Sequence, residues 1–247
     1  MSTLFSVLRR RPARFAALSA TVAGVMLFAL PSAANASASG TVNTAGTALT
    51  VRAAPGTGFD AWDTVADGSK VTILCQTEGS QVSGTYGTST IWDMLARGGF
   101  VSDAYVYTGG DGYVTGKCDY VGAPPRANPR GINAAISWAF SHLGSSAYEN
   151  LCLKFTGLSY GWSYTNWATA EVGGDYMVNH GYMHTSGIPP RGALVWYHNS
   201  SGTGHVVISL GEGKIIGTSV GGQVGVDDYL YHSSYRGWSQ PYYPLAG

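Results

Sequence analysis

The chain has 247 residues with 14 basic and 14 acidic side chains, 35 glycines, and only 11% charged residues. Four of the basic residues, Arg9, Arg10, Arg11 and Arg14, stand near the start with no acid around them, so positions beyond 38 carry 10 basic against 14 acidic groups, a net charge of −4. That balance excludes the basic footprint of a nucleic-acid binder or of a protein held to anionic membranes.

The first 38 residues read as a signal peptide. A basic leader is followed by an apolar run from Ala16 to about Leu30, then by small-residue cleavage sites at Ala34-Asn35-Ala36 and Ala36-Ser37-Ala38. The run is short for a membrane anchor, and no later segment could span a bilayer. The expected protein is therefore secreted, extracellular or associated with the cell wall, with no membrane contact after cleavage, and a monomer.

Residues 39–120 read as β structure. "ALTVRAAPG" alternates like a strand and ends in a turn, "DGSKVTILCQ" repeats the pattern after Asp67-Gly68, and "GGFVSDAYVYTGG" supplies another short strand between glycines. On Leu49-Thr50-Val51-Arg52-Ala53-Ala54-Pro55-Gly56, on Gly68 before Val71–Leu74, and on Gly99-Phe100-Val101, this region resembles the bacterial Src-homology-3-like domains, small all-β barrels found beside cell-wall enzymes. The resemblance implies a domain that binds peptidoglycan or its cross-bridges; a structural spacer is the plainer alternative.

Residues 121–130, within "VGAPPRANPRG", hold Pro124, Pro125 and Pro129 and predict an extended linker. Beyond it the period changes. "GINAAISWAFSHLG" places Ile132, Ala135, Ile136, Phe140 and Leu143 on one helical face, "NLCLKFTGLS" spaces Leu151, Phe155 and Leu158 helically, and a third helix is expected around "TNWATAEVG". From Gly192 the pattern is strand: "GALVWY", "HVVISL", "KIIGT". Helices followed by strands make residues 131–247 an α+β domain.

Three cysteines in an exported chain allow one disulfide and one thiol. Cys75 and Cys118 share the β region and are the expected pair, which leaves Cys152 free. It opens a helix just after Asn150, a candidate cap, and the positive end of the helix dipole is expected to lower its pKa and make it a nucleophile. Of six histidines, His180 and His184 have i,i+4 spacing that could complete a zinc set with Cys152, but Gly181 and Gly187 argue against a rigid helix there. His198 and His232 sit in polar runs and read as solvated, and His142 as a surface group near a helix end. His205 opens the strand "HVVISL" after the turn "SSGTG", fixed in direction and open to substrate, and is the candidate base. Pairing Leu210 with Lys214 puts Ser219 opposite His205, so Ser219 is the candidate third member. No metal or organic cofactor is expected.

Together, "CLKFTGLSYG", "PPRGALVWY" and "GHVVISLGEGKIIGT" resemble the NlpC-type papain-like cell-wall peptidases over about residues 131–238. The resemblance implies Cys152 as nucleophile, His205 as base, Tyr148 as a supporting residue, and hydrolysis of an amide bond in the peptidoglycan stem peptide, often that between D-glutamate and the diamino acid. Two departures stand out. The usual Asp-Cys-Ser-Gly is Leu151-Cys152-Leu153-Lys154, and the usual third polar position falls on Gly217. A CHAP-type cysteine amidase fits "GALVWY" and "GHVVIS" almost as well. The departures also suit a wall-binding or competition protein that has lost activity.

Overall fold

Seven strands build the first half of the chain, and Leu49–Arg52 and the start of the Lys70–Gly84 strand alternate buried with more exposed residues as a half-buried strand does. The computed structural model describes residues 1–2 and 36–247, so nearly all of the expected signal peptide lies outside the described residues. The strands are β1 (Ala38–Val42), β2 (Leu49–Arg52), β3 (Ala61–Val65), β4 (Lys70–Gly84), β5 (Gly87–Leu95), β6 (Phe100–Ser102) and β7 (Val106–Tyr107). They form one antiparallel sheet in the order β3-β2-β6-β5-β4-β1-β7. Register shifts along the long β4–β5 hairpin bend it, and a bulge locally increases twist. The result is the curled, Src-homology-3-like sheet the sequence predicts. Val42, Leu49, Val51, Ile73, Leu95 and Val101 fill its own core.

Cys75 and Cys118 form the expected disulfide across a separation of 43 residues. Closing a loop of that length stabilises the fold by about 4 kcal/mol in the chain-entropy picture.

Three helices follow: α1 (Ile132–Phe140), α2 (Cys152–Ser159) and α3 (Ala170–Asn179). The third starts later than the sequence suggests, because the Thr169 hydroxyl accepts from the Val172 N–H and caps the helix there. Then come β8 (Leu194–Tyr197), β9 (His205–Gly211), β10 (Lys214–Val220), β11 (Gln223–Asp228) and β12 (Tyr235–Ser239), an antiparallel sheet in the order β11-β10-β9-β8-β12. Helices precede strands, as expected of the α+β half. β9 is central and buried on both faces. Val206, Ile208 and Leu210 pack with the helices, while Val207 joins Val195, Tyr197 and Ile215 on the other side.

Residues 121–130 take neither helix nor strand, but they are held along their length. Val121 N–H donates to Arg191 C=O, and the Arg126 guanidinium lies 4.2 Å from the Trp162 ring centre and donates to Ala246 C=O. Asn128 bridges Pro241 C=O and the Trp162 indole N–H. The run is a strap laid on the α+β half.

The two sheets meet through a shared apolar cluster that includes Ala53, Trp92 and Phe100 from one side and Ala135, Phe140 and Leu210 from the other. Trp62 stacks on Phe140 with ring centres 4.7 Å apart. The Ser137 hydroxyl accepts from the Asp60 N–H and donates to the Asp60 carboxylate. Arg191 is the polar centre of this junction. It is 1% exposed, donates to Ala53 C=O at 2.8 Å and to Leu210 C=O at 3.2 Å, and lies over the Phe100 ring.

Arg191→Ala removes these donors from two buried carbonyls and leaves a cavity at the junction, at a cost of about 3 kcal/mol or more. Urea denaturation of the variant measures it, and a loss under about 1 kcal/mol would contradict the role assigned to this side chain.

Candidate active site

Cys152 is the first residue of α2, and its half-buried thiol faces β9. The backbone N–H groups of Cys152, Leu153 and Val206 point at the sulfur. His205 begins β9 opposite Tyr197. It is placed by the turn before it, where the Asn199 side-chain oxygen accepts from the N–H groups of Thr203 and Gly204. Gly204 has φ +66°, and a Cβ there would stand 2.5 Å from the Glu171 nitrogen, so only glycine fits. Cys152 and His205 line one cavity of ≈ 920 Å³, together with Lys154, Trp167, Ser219 and His232. Neither His180 nor His184 lines it. They stack on Tyr176 and Trp238 respectively.

The imidazole has a partner the sequence does not advertise. His205 Nε2 lies 2.9 Å from the Tyr231 hydroxyl. Tyr197, Tyr231 and His232 surround the ring with centres 5.9, 6.4 and 6.1 Å away. His232, read from the sequence as solvated, is thus a wall of the site.

Ser219 does not take the third place. β10 begins with a bulge, Lys214 opposite Gly211, and then pairs Ile215 with Ser209 and Ile216 with Ile208. By Ser219 the backbone has turned to φ +63°, and its hydroxyl donates to Glu149 Oε1 at 2.8 Å. Gly217 could carry no polar group in its stead, because a Cβ there would lie 2.3 Å from Val207 Cγ1. Tyr148 sits behind the site: its ring packs edge-on against Phe155, and against His142 on the other side. Its neighbour Glu149 accepts from Ser219 and acts by its charge on Cys152, with Oε2 buried and unbonded.

Electrostatics run against the lowered thiol pKa expected from the helix start. Burial pushes the Cys152 pKa up, and the Glu149 carboxylate adds to this, against the pull of three N–H groups. The physical reason is local. Asn150 is not the cap, since it has φ +62° and Leu151 occupies the cap position without a side-chain hydrogen bond. Desolvation also favours neutral His205, lowering its pKa to about 4, and the His232 ring adds to the effect. Both shifts favour the uncharged forms, a thiol and an imidazole lining the same cavity.

An α+β half carrying a free cysteine and a histidine on one cavity has the parts of a thiol-dependent catalyst. Two Bacillus subtilis (strain 168) proteins resemble the chain in sequence. The uncharacterized protein YraI is 40% identical over 116 residues, which is 43% of this chain and 96% of YraI, and the uncharacterized protein YraJ is 42% identical over 108 residues, 40% of this chain and 92% of YraJ. The chain belongs to the family of YraI and YraJ. No protein-family model matches it. Among solved structures, NlpC2 from Trichomonas vaginalis is 16% identical, with 83% of this chain and 72% of that one covered at a TM-score of 0.32. An NlpC/P60 family protein from Bacillus cereus is 13% identical, with 84% and 64% covered at 0.34. Likenesses this distant say nothing of activity or substrate.

Iodoacetamide at pH 7 should label Cys152 alone, and more slowly than free cysteine, with the rate climbing only in the alkaline range. Peptide mapping across a pH series reads this, and fast labelling at neutral pH would refute the raised thiol pKa.

Proposed function

We propose that the chain is an exported thiol hydrolase that cleaves an amide bond in the peptidoglycan stem peptide. The observation that carries this reading is the meeting of Cys152, at a helix start, with His205, on a strand mouth, at one cavity where the outer imidazole nitrogen is already held by Tyr231. With Nε2 donating to the Tyr231 oxygen, Nδ1 keeps its lone pair for the thiol proton. As that proton moves, the sulfur bonds to the substrate carbonyl carbon, and the Cys152 N–H at the helix start supports the oxyanion. The imidazolium then protonates the departing amine. Water hydrolyses the thioester, with His205 again taking the proton, and restores the thiol.

Tyr231 replaces the carboxylate or amide often used to orient such a base. Burial raises its pKa, so it remains a phenol and orients the imidazole without lending it negative charge. Lys154 lies exposed at the cavity wall where a small residue is usual. An ammonium there suits a substrate bearing carboxylates, as stem peptides do. The curled N-terminal sheet would hold the enzyme to the wall and raise the local substrate concentration.

A second reading has its own support. With both partners neutral and the orienting group a phenol, the site suits slow turnover or none, as in a wall-binding protein with a retired active site. Mass spectrometry of purified peptidoglycan after incubation separates the readings. A new free amino terminus on the diamino acid supports the peptidase, and intact stem peptides freed from sugar support an amidase. Wall binding with no product from either the native chain or Cys152→Ala supports the inactive binder.

If the peptidase reading holds, Cys152→Ala loses at least about a thousand-fold in rate. Tyr231→Phe loses about ten- to a hundred-fold in kcat with little change in KM. Because His205 must be neutral to accept the proton, activity should persist to about pH 5 and fall as pH drops through the lowered pKa of about 4. An acid limb near pH 6.5 would overturn that assignment.

A further inference from the structure

The N-terminal sheet carries a second polar concavity, remote in chemistry from the cysteine. It has a volume of ≈ 270 Å³ and lies between the start of β5 and the loop after β7, lined by Tyr86, Asp103, Tyr107 and Asp111 among others. Asp103 is 6% exposed, yet its Oδ1 has no hydrogen-bond partner. Behind it Asp93, on β5, is 0% exposed, with Oδ1 taken by the Gln76 amide at 2.7 Å and Oδ2 unbonded. Ser102 Oγ, one residue before Asp103, is likewise buried and unbonded. Neither aspartate has a basic partner among the ion pairs of the described residues.

Buried acceptors of this kind are costly unless something donates to them. Burial and mutual repulsion register the cost: the Asp93 pKa rises to about 7, with Asp103 the neighbouring charge, and that of Asp103 to about 6, with Asp111 the neighbour. At the cavity, Tyr86 and Tyr107 stand with ring centres 5.7 Å apart, 41% and 59% exposed. A carboxylate floor with aromatic faces at the mouth attracts an organic cation through charge-assisted hydrogen bonds and the ring quadrupoles together. A metal ion suits it less, since among the described residues no three His, Cys, Asp or Glu converge as a ligand set.

We propose that this concavity is a binding site for a primary ammonium group, the side-chain amine or free amino terminus of a peptide, with Asp103 as its principal acceptor and Tyr86 and Tyr107 as its walls. The site is independent of the thiol, and it stands whether or not Cys152 is catalytic. It gives the sheet a ligand of defined charge.

The test is a titration of the ¹⁵N-labelled secreted chain, followed by amide shifts around Asp103 at pH 7.5. Four probes are compared: Nα-acetyl-lysine amide, glycinamide, Nα,Nε-diacetyl-lysine amide and calcium chloride. Binding by the first points to a side-chain amine and by the second to an amino terminus, and either supports the proposal provided the diacetylated compound is silent. Asp103→Asn should weaken amine binding about ten-fold or more, and Tyr107→Ala, at an exposed position, about three-fold. Asp111→Asn, also exposed, gives a further variant should Asp103→Asn fold poorly, with an expected loss of about three-fold. Cys152→Ala should bind as the native chain does. Affinity should fall from pH 7.5 to pH 5 as Asp103 and Asp93 take up protons. The proposal is overturned if neither amine binds, if the neutral compound binds equally, if calcium binds there in place of the amines, or if the aspartate variants leave affinity unchanged.

Discussion

One buried guanidinium is the polar centre of the junction between the two halves of this protein. Arg191 lies just before β8, and its head group donates to two backbone carbonyls and to the Asn133 side-chain oxygen. It reaches Ala53 in the first sheet and Leu210 on the strand that begins with His205, while its own backbone carbonyl anchors Val121 at the start of the strap. Burial lowers its pKa. Arginine still keeps its charge in such surroundings, because its ordinary pKa is so high. No ion pair among the described residues involves it, so the cation depends on those carbonyls and the Phe100 face staying in place. The curled sheet is therefore part of the environment that keeps β9 where the cavity needs it.

The cavity itself shows what happens when desolvation competes with backbone donors. A helix start and three N–H groups favour a thiolate, and a helix dipole contributes about 0.3–1 kcal/mol at an ordinary exposed terminus. Removing a thiolate from water costs more, so the balance at Cys152 falls on the neutral side. The same physics at His205 favours the uncharged ring, which is the form a general base requires. In the proposed mechanism, proton transfer between two neutral partners would create charge inside a low-dielectric wall, and Tyr231 would offer direction without charge to meet it. A substrate that displaces water and brings its own dipoles would change that balance at the moment of reaction.

Much of this arrangement was legible from residue patterns, and the failures have physical causes. The disulfide, the free Cys152, the three helices and the strands around His205 followed from cysteine spacing and hydrophobic period. The Leu210–Lys214 pairing anticipated the register beyond the bulge, where Ile215 meets Ser209. It still misplaced Ser219, because a left-handed backbone at that residue turns the hydroxyl to Glu149. Tyr231 and His232 lay in "YLYHSS", the connection between β11 and β12, without a periodic signature, and only tertiary folding brings them to β9. The cap assigned to Asn150 failed because that residue too is left-handed. Arg191 gave no hint of its burial, since a lone arginine beside two prolines reads as surface loop.

The pairing of Cys75 with Cys118 has a bearing on the third sulfur. A bond of that kind forms and survives under oxidising conditions, and the same conditions attack any exposed, ionised thiol, carrying it to sulfenic acid and beyond. Susceptibility follows the thiolate, and burial keeps Cys152 protonated. What slows its chemistry at rest therefore also preserves it, so that one fold can house a stable cystine and a surviving free thiol in the same surroundings.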